Sequence, residues 1–141
     1  MPSFNTEPRL VIFEGLDRSG KTSLRKEFAA RTRERVLTAD RMIVSSDVYD
    51  EFFKRPQPKE VVDFRKLTET ILKAIDVVIV LVDTEPKVCL ERGAEYLLEE
   101  LKIQRSMFFK QLSKQPHRII VLKTKNKSIS ECADELIEMG L

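Results

Sequence analysis

Residues 15–22 read GLDRSGKT: two glycines five positions apart, with a lysine and a threonine directly after the second. Gly15 and Gly20 allow the backbone to curl so that successive N–H groups face inward on phosphate oxygens. A helix beginning near Thr22 adds its positive end beneath them. Lys21 then reaches the β- and γ-phosphates, and the Thr22 hydroxyl ligates Mg²⁺. Only four glycines occur in the chain, and two of them stand at these positions. The pattern implies a nucleoside triphosphate with Mg²⁺, taken here as ATP, bound by Gly15, Asp17, Arg18, Ser19, Gly20, Lys21, Thr22 and Ser23. Within the loop, Arg18 is placed to lie against the γ-phosphate and steady the charge of a transferring group. Asp17 beside phosphates is unfavourable unless it faces an acceptor hydroxyl or a cation; the alternative is an Asp17–Arg18 surface pair. Lys21, Arg18 and Asp17 are the catalytic candidates.

A second acidic group should face the cation. Asp40 closes an apolar run and is expected to hold Mg²⁺ through water, which makes the metal set Thr22 and Asp40. Asp83 also follows an apolar run, but it precedes Thr84, Glu85 and Pro86 and is expected to cap a helix there. Phe52 and Phe53 either stack on a nucleobase or pack in the core. His117, next to Pro116, is expected at the surface without a role.

These groups need a frame. Four apolar runs, 9–13, 36–39, 77–82 and 118–122, are rich in Val and Ile and lack polar alternation, so they should form strands covered on both faces. Helical periodicity fills the intervals. One helix spans 21–35. Another, over 60–75, places Phe64, Leu67, Thr68, Ile71 and Ile75 on one stripe. Pro86 opens a third, with Leu90, Ala94, Leu97, Leu98 and Leu101 as its apolar side. Ser128 and Glu131 form a capping box before Ile129, Cys132, Ala133, Leu136 and Ile137. Residues 49–59, with Pro56 and Pro58, are a helix end and a loop able to reach the ligand edge of the sheet. Strands alternating with helices imply an α/β fold: three layers, a parallel sheet of about four strands and helices on both faces.

A length of 141 residues suits a single domain, residues 1–141. With 25 basic and 23 acidic residues the net charge is +2, which argues against nucleic acid as a partner and against a polybasic membrane anchor. The longest apolar run, residues 77–82, is far below the ~20 residues of a membrane span. Cys89 and Cys132 are expected as small core residues, and the default compartment is the cytoplasm.

Residues 13–24, FEGLDRSGKTSL, resemble the phosphate loop of the thymidylate kinase family. ADRMIVSSDVY at 39–49 is similar to that family's Asp-Arg motif with its serines and tyrosine. VIVLVDTEPKVCLERG at 78–93 resembles the approach to the family's lid, and residues 118–136 its last strand, adenine-side loop and last helix. The resemblance implies a P-loop kinase fold and phosphoryl transfer from ATP·Mg²⁺ to a thymidylate-like nucleoside monophosphate or to a nucleoside. It places Arg41 on phosphate and Tyr49 beside the acceptor sugar and base; Asp17, on the acceptor hydroxyl or sugar, Phe52 and Arg55 complete the acceptor set from the residues themselves. It also allows a homodimer. Two features depart from the family. The usual monophosphate-binding segment is absent, since only residues 36–39 separate Arg35 from Asp40, as in compact phage kinases of this type. Asp50 stands where a base-reading glutamine follows the tyrosine. Arg55 and Arg65 are candidates to replace the arginines lost with that segment, and Arg92 and Arg105 bracket residues 93–104, the place of the lid. The alternatives are a non-catalytic nucleotide-binding regulatory module and a polynucleotide 5′-kinase.

Overall fold

A computed structural model describes residues 9–33 and 36–141. Strand β1 (Arg9–Glu14) leads into α1 (Lys21–Arg31), β2 (Leu37–Asp40), α2 (Ile43–Phe52) and α3 (Lys59–Lys73). Then come β3 (Asp76–Asp83), α4 (Pro86–Glu91), α5 (Leu98–Leu112), β4 (Arg118–Lys123) and α6 (Ile129–Glu138). The sheet has the order β2-β1-β3-β4 and every pair is parallel. All four expected strands are present, and the fold is α/β with helices on both faces. The helix expected over 21–35 ends earlier, at Arg31, with Thr32 as its C-cap and Arg33 left-handed at φ 52°; residues 34–35 and 1–8 lie outside the described residues.

Alternation along β1 and β3 divides the core in two. Val11, Phe13, Val78, Val80 and Val82 face α1 and α6, where they meet Phe28, Leu24, Cys132 and Leu136. Ile12, Val77, Ile79 and Leu81 face the other layer, with Val44, Val48, Leu72, Cys89, Leu101 and Phe108. The expectation of two covered faces holds for β1 and β3 but not at the sheet edges. β4 alternates and leaves Val121 exposed, and β2 exposes Leu37. An edge strand lacks one neighbour, so its helices cover it only in part.

Two helix expectations are corrected. On α3 the stripe is solvent-facing: Phe64 is 71% exposed, Leu67 56% and Ile71 55%, while Leu72 is the one buried residue of the helix. The helix is tied down instead by Leu72 and by Arg65, whose guanidinium meets Asp47 and Asp50 of α2, each at 2.7 Å. The helix opened by Pro86 stops at Glu91. Gly93, at φ 96°, supplies the left-handed residue, with Gly93 N–H on the Leu90 carbonyl at 3.0 Å and Ala94 N–H on that of Cys89 at 3.1 Å. Leu90 and Leu97 are therefore exposed and belong to no common stripe. Substitution should separate the two kinds of apolar residue. Leu136→Ala is expected to cost about 2–5 kcal/mol, and Phe64→Ala less than about 0.5 kcal/mol, by urea unfolding. Equal losses would mean that α3 is packed.

Candidate active site

The phosphate loop runs from the carboxyl end of β1 into the first turn of α1, and its shape is fixed by close contacts. A Cβ on Gly15 would lie 2.8 Å from the Val82 carbonyl oxygen and 2.9 Å from Ser19 Oγ, so only glycine fits there. Arg18 takes a left-handed conformation at φ 62° and points into solvent. Thr84, at the end of β3, donates its hydroxyl to the Ser19 carbonyl at 2.7 Å and lies 2.7 Å from the Thr124 hydroxyl beyond β4. The loop is thus pinned to three strands of the sheet.

Lys21 is 6% exposed, and its Nζ donates to the Leu16 carbonyl at 2.9 Å across the curl of the loop. Burial, helped by the charge of Arg41, pushes its pKa down to about 8. The buried Ser19 Oγ has no hydrogen-bond partner among the described residues. Clefts open on both sides of the loop. One, of about 350 Å³, is lined by Asp17, Arg18, Gly20, Lys21, Thr22, Ser23, Asp40 and Arg41. The other, of about 300 Å³, runs past Ser19, Ser23 and Arg92 to Thr124, Lys127 and Ile129.

The oxygen donors suit a hard cation such as Mg²⁺. Thr22 is exposed at the cleft, and Asp40 holds one carboxylate oxygen on Arg25 Nε at 2.8 Å. Its other oxygen is buried and without a partner among the described residues. Asp83 does not cap α4, whose N-cap is Glu85. Its carboxylate is gripped bidentately by Arg105, through Nε and Nη2 at 2.9 Å each. Arg105 also lies over Phe109, with 4.9 Å from its guanidinium carbon to the ring centre, so it is committed on that side of the fold.

Across the cleft from the loop, Arg41 adopts φ 55° and sets its guanidinium carbon 5.2 Å from the centre of the Tyr49 ring. Tyr49 Oη is buried and unpartnered among the described residues, and burial raises its pKa. Tyr96 stacks on Tyr49 at 6.4 Å between ring centres, and Phe52 meets Tyr96 edge-on at 6.1 Å. Arg55 is exposed at the rim of this cluster, over the ring of Phe53, which stacks on Tyr49 at 6.3 Å, and it lies 3.4 Å from Asp50. Arg65 is consumed by its two aspartates. Residues 93–97, in the place expected for a lid, form a short connection laid against the loop. Glu95 N–H donates to Asp17 Oδ2 at 3.2 Å, and Arg92 Nη1 to the Arg18 carbonyl at 3.3 Å. His117 is partly buried on the way into β4, and burial together with Lys73 lowers its pKa.

The structure therefore brings Asp17, Arg18, Lys21, Thr22, Asp40 and Arg41 around one cleft; Tyr49, Phe52 and Arg55 are not in its lining, and Tyr49 reaches it only through Arg41. Glu14, Thr84, Thr124 and Tyr96 are additions that sequence reasoning missed. Thr84 had a readable signal, since a polar residue directly after a buried strand beside the loop needs a partner. The others are set by contacts distant in sequence.

No family model matches the chain, and no curated protein matches it. Solved structures do. The YorR protein of Bacillus subtilis, in complex with phosphorylated GDP, superposes with a TM-score of 0.69 at 18% identity, over 93% of this chain and 95% of that one. The deoxyadenosine kinase of M. mycoides gives 0.63 at 7% identity with dATP bound and 0.60 at 8% with dCTP bound. Those matches cover 93% and 94% of this chain and 98% of the kinase in each case. The chain shares the α/β fold of these structures.

Proposed function

We propose that the protein transfers the γ-phosphoryl group of ATP to a nucleoside or a nucleoside monophosphate, with a thymidylate-like nucleotide among the candidates. The observation that carries this reading is a buried lysine at the root of the loop, with no ion-pair partner among the described residues, facing a cleft that also presents Asp17, Asp40 and Arg41. Backbone N–H groups of the loop, Lys21 and Arg18 would hold the phosphates. Thr22 and Asp40 would hold Mg²⁺, which would neutralise phosphate charge when bound. Asp17 would orient the acceptor hydroxyl, while Tyr49 and Tyr96 would flank the sugar and base. Of the arginines considered for an acceptor phosphate, Arg41 is the one at the cleft, since Arg65 and Arg55 are engaged on α2 and Phe53. The wall formed by Arg92 and residues 93–97 would exclude water, so that the acceptor and not water takes the phosphoryl group. Positioning and charge stabilisation supply the acceleration.

The test is ADP formation from ATP·Mg²⁺ across deoxynucleosides and their monophosphates. Stimulation by one acceptor supports the reading and names the substrate. Saturable ATP binding without stimulation by any acceptor would overturn it in favour of a regulatory nucleotide-binding module.

The pKa of Lys21 gives a second, independent readout. Near pH 8 the free protein holds this lysine about half charged, and phosphates beside it stabilise the ammonium. ATP·Mg²⁺ binding at pH 8 should therefore take up about half a proton, and affinity should fall as pH rises through 8. At pH 6 the lysine is charged beforehand and the uptake should vanish. Calorimetry in two buffers of different ionisation enthalpy measures it, and heats at pH 8 that do not depend on the buffer would contradict the assignment.

A further inference from the structure

We propose that Glu14 is a positioning residue whose carboxylate holds helix α2, and with it Arg41 and Tyr49, in register with the phosphate loop. The inference rests on the phosphotransfer reading above. Glu14 is 0% exposed and immediately precedes Gly15, yet neither of its oxygens turns to the loop. One accepts from Met42 N–H at 2.5 Å and the other from the Ser45 hydroxyl, both in the first turn of α2. That helix has no side-chain cap of its own at Met42, so the neighbouring strand supplies the anion that its N-terminal amides require. Next to these contacts Arg41 N–H donates to the Phe13 carbonyl at 3.0 Å. Arg41 is also held in a left-handed conformation, which a non-glycine residue keeps only when its surroundings impose it.

Residues 13–14 therefore grip the Arg41–Ser45 turn at three points, and the turn aims Arg41 over Tyr49. A βα junction alone has no need of a carboxylate there. An apolar side chain would fill a fully buried strand end without the desolvation that raises the Glu14 pKa, which its α2 contacts offset only in part. One consequence distinguishes the two helices at the cleft. The positive end of α1 is open to phosphates, whereas that of α2 is occupied by Glu14, so an anionic acceptor must be met by the Arg41 side chain.

Glu14→Ala, Glu14→Gln and Ser45→Ala test the assignment through the separate KM values for acceptor and ATP. Glu14→Ala should raise the acceptor KM by about 10–100-fold, the cost of small misplacements at such centres, and change the ATP KM by less than about twofold. Glutamine keeps an acceptor for Met42 N–H and places an amide donor toward Ser45, so Glu14→Gln should restore the acceptor KM to within about threefold of wild type. Ser45→Ala, which removes one small contact, should fall between them, and it keeps the test alive if Glu14→Ala does not fold. Equal rises in both KM values, or an unchanged acceptor KM in Glu14→Ala and Ser45→Ala, would overturn the proposal. If the wild type shows no acceptor-dependent turnover, the functional reading fails by itself. Amide hydrogen exchange then decides the clamp: in Glu14→Ala, faster exchange confined to residues 41–46 supports it, and unchanged exchange there overturns it.

Discussion

Lys21→Ala is expected to lower acceptor-dependent ATP turnover by about 10²–10³-fold, the typical loss for one preorganised donor at a developing charge, while leaving the protein folded. Both halves of this expectation come from the same geometry. Lys21 is nearly inaccessible, its Nζ has one protein partner, the Leu16 carbonyl, and no carboxylate lies within ion-pair distance of it among the described residues. The more distant carboxylates of Asp17, Asp40 and Glu14 offset its charge only in part, so burial and the charge of Arg41 still drive its pKa down to about 8. Removing a desolvated cation costs the fold little, and the thermal midpoint should stay level or rise. The transferring phosphoryl group, by contrast, spreads negative charge over three oxygens and loses its fixed counter-charge. The checks are initial rates with the preferred acceptor and a thermal melt of the same sample. Turnover within tenfold of wild type in a folded variant would remove Lys21 from the chemistry, and with it the main support for the reading.

The loop and the four strands were legible because their signals are local. A glycine-spaced motif and an unbroken Val/Ile run each declare themselves within eight residues. α3 shows the limit of such signals. Its periodicity marks Phe64, Leu67 and Ile71 as one face, but period alone does not say which face meets the sheet. That is decided near the C-terminal end of the helix, where Leu72 reaches the core, and by Arg65 bridging back to Asp47 and Asp50. The stop after α4 was readable, since Gly93 is a standard left-handed terminator, yet the leucines beyond it suggested continuity. The contacts that shape the cleft were hidden for another reason. Glu14 meets residues 28 and 31 positions away, and Thr84 meets Ser19 65 positions away. Such pairings follow from strand order, which hydrophobic pattern does not encode.

The two aspartates that close apolar strands offer the second decisive comparison. Asp40→Asn should lower Mg²⁺-dependent turnover by about 10²-fold and move the Mg²⁺ midpoint upward, with only a small change in stability. Asp40 commits one oxygen to Arg25 and keeps the other buried and without a partner among the described residues, where an amide would present either a weaker acceptor or a donor facing a cation. Asp83 has no oxygen to spare. Both are bound by Arg105, and the side chain is 8% exposed against 42% for the arginine. Asp83→Asn breaks that bidentate contact but leaves an arginine free to turn to water, so the loss should be about 1–2 kcal/mol of stability. Its Mg²⁺ response should be that of wild type. A Mg²⁺ titration of turnover with a denaturant melt for each variant separates the roles. If Asp83→Asn abolishes the Mg²⁺ response and Asp40→Asn does not, the cation sits at the end of β3, and the cleft between the loop and Arg41 is not where phosphoryl transfer takes place.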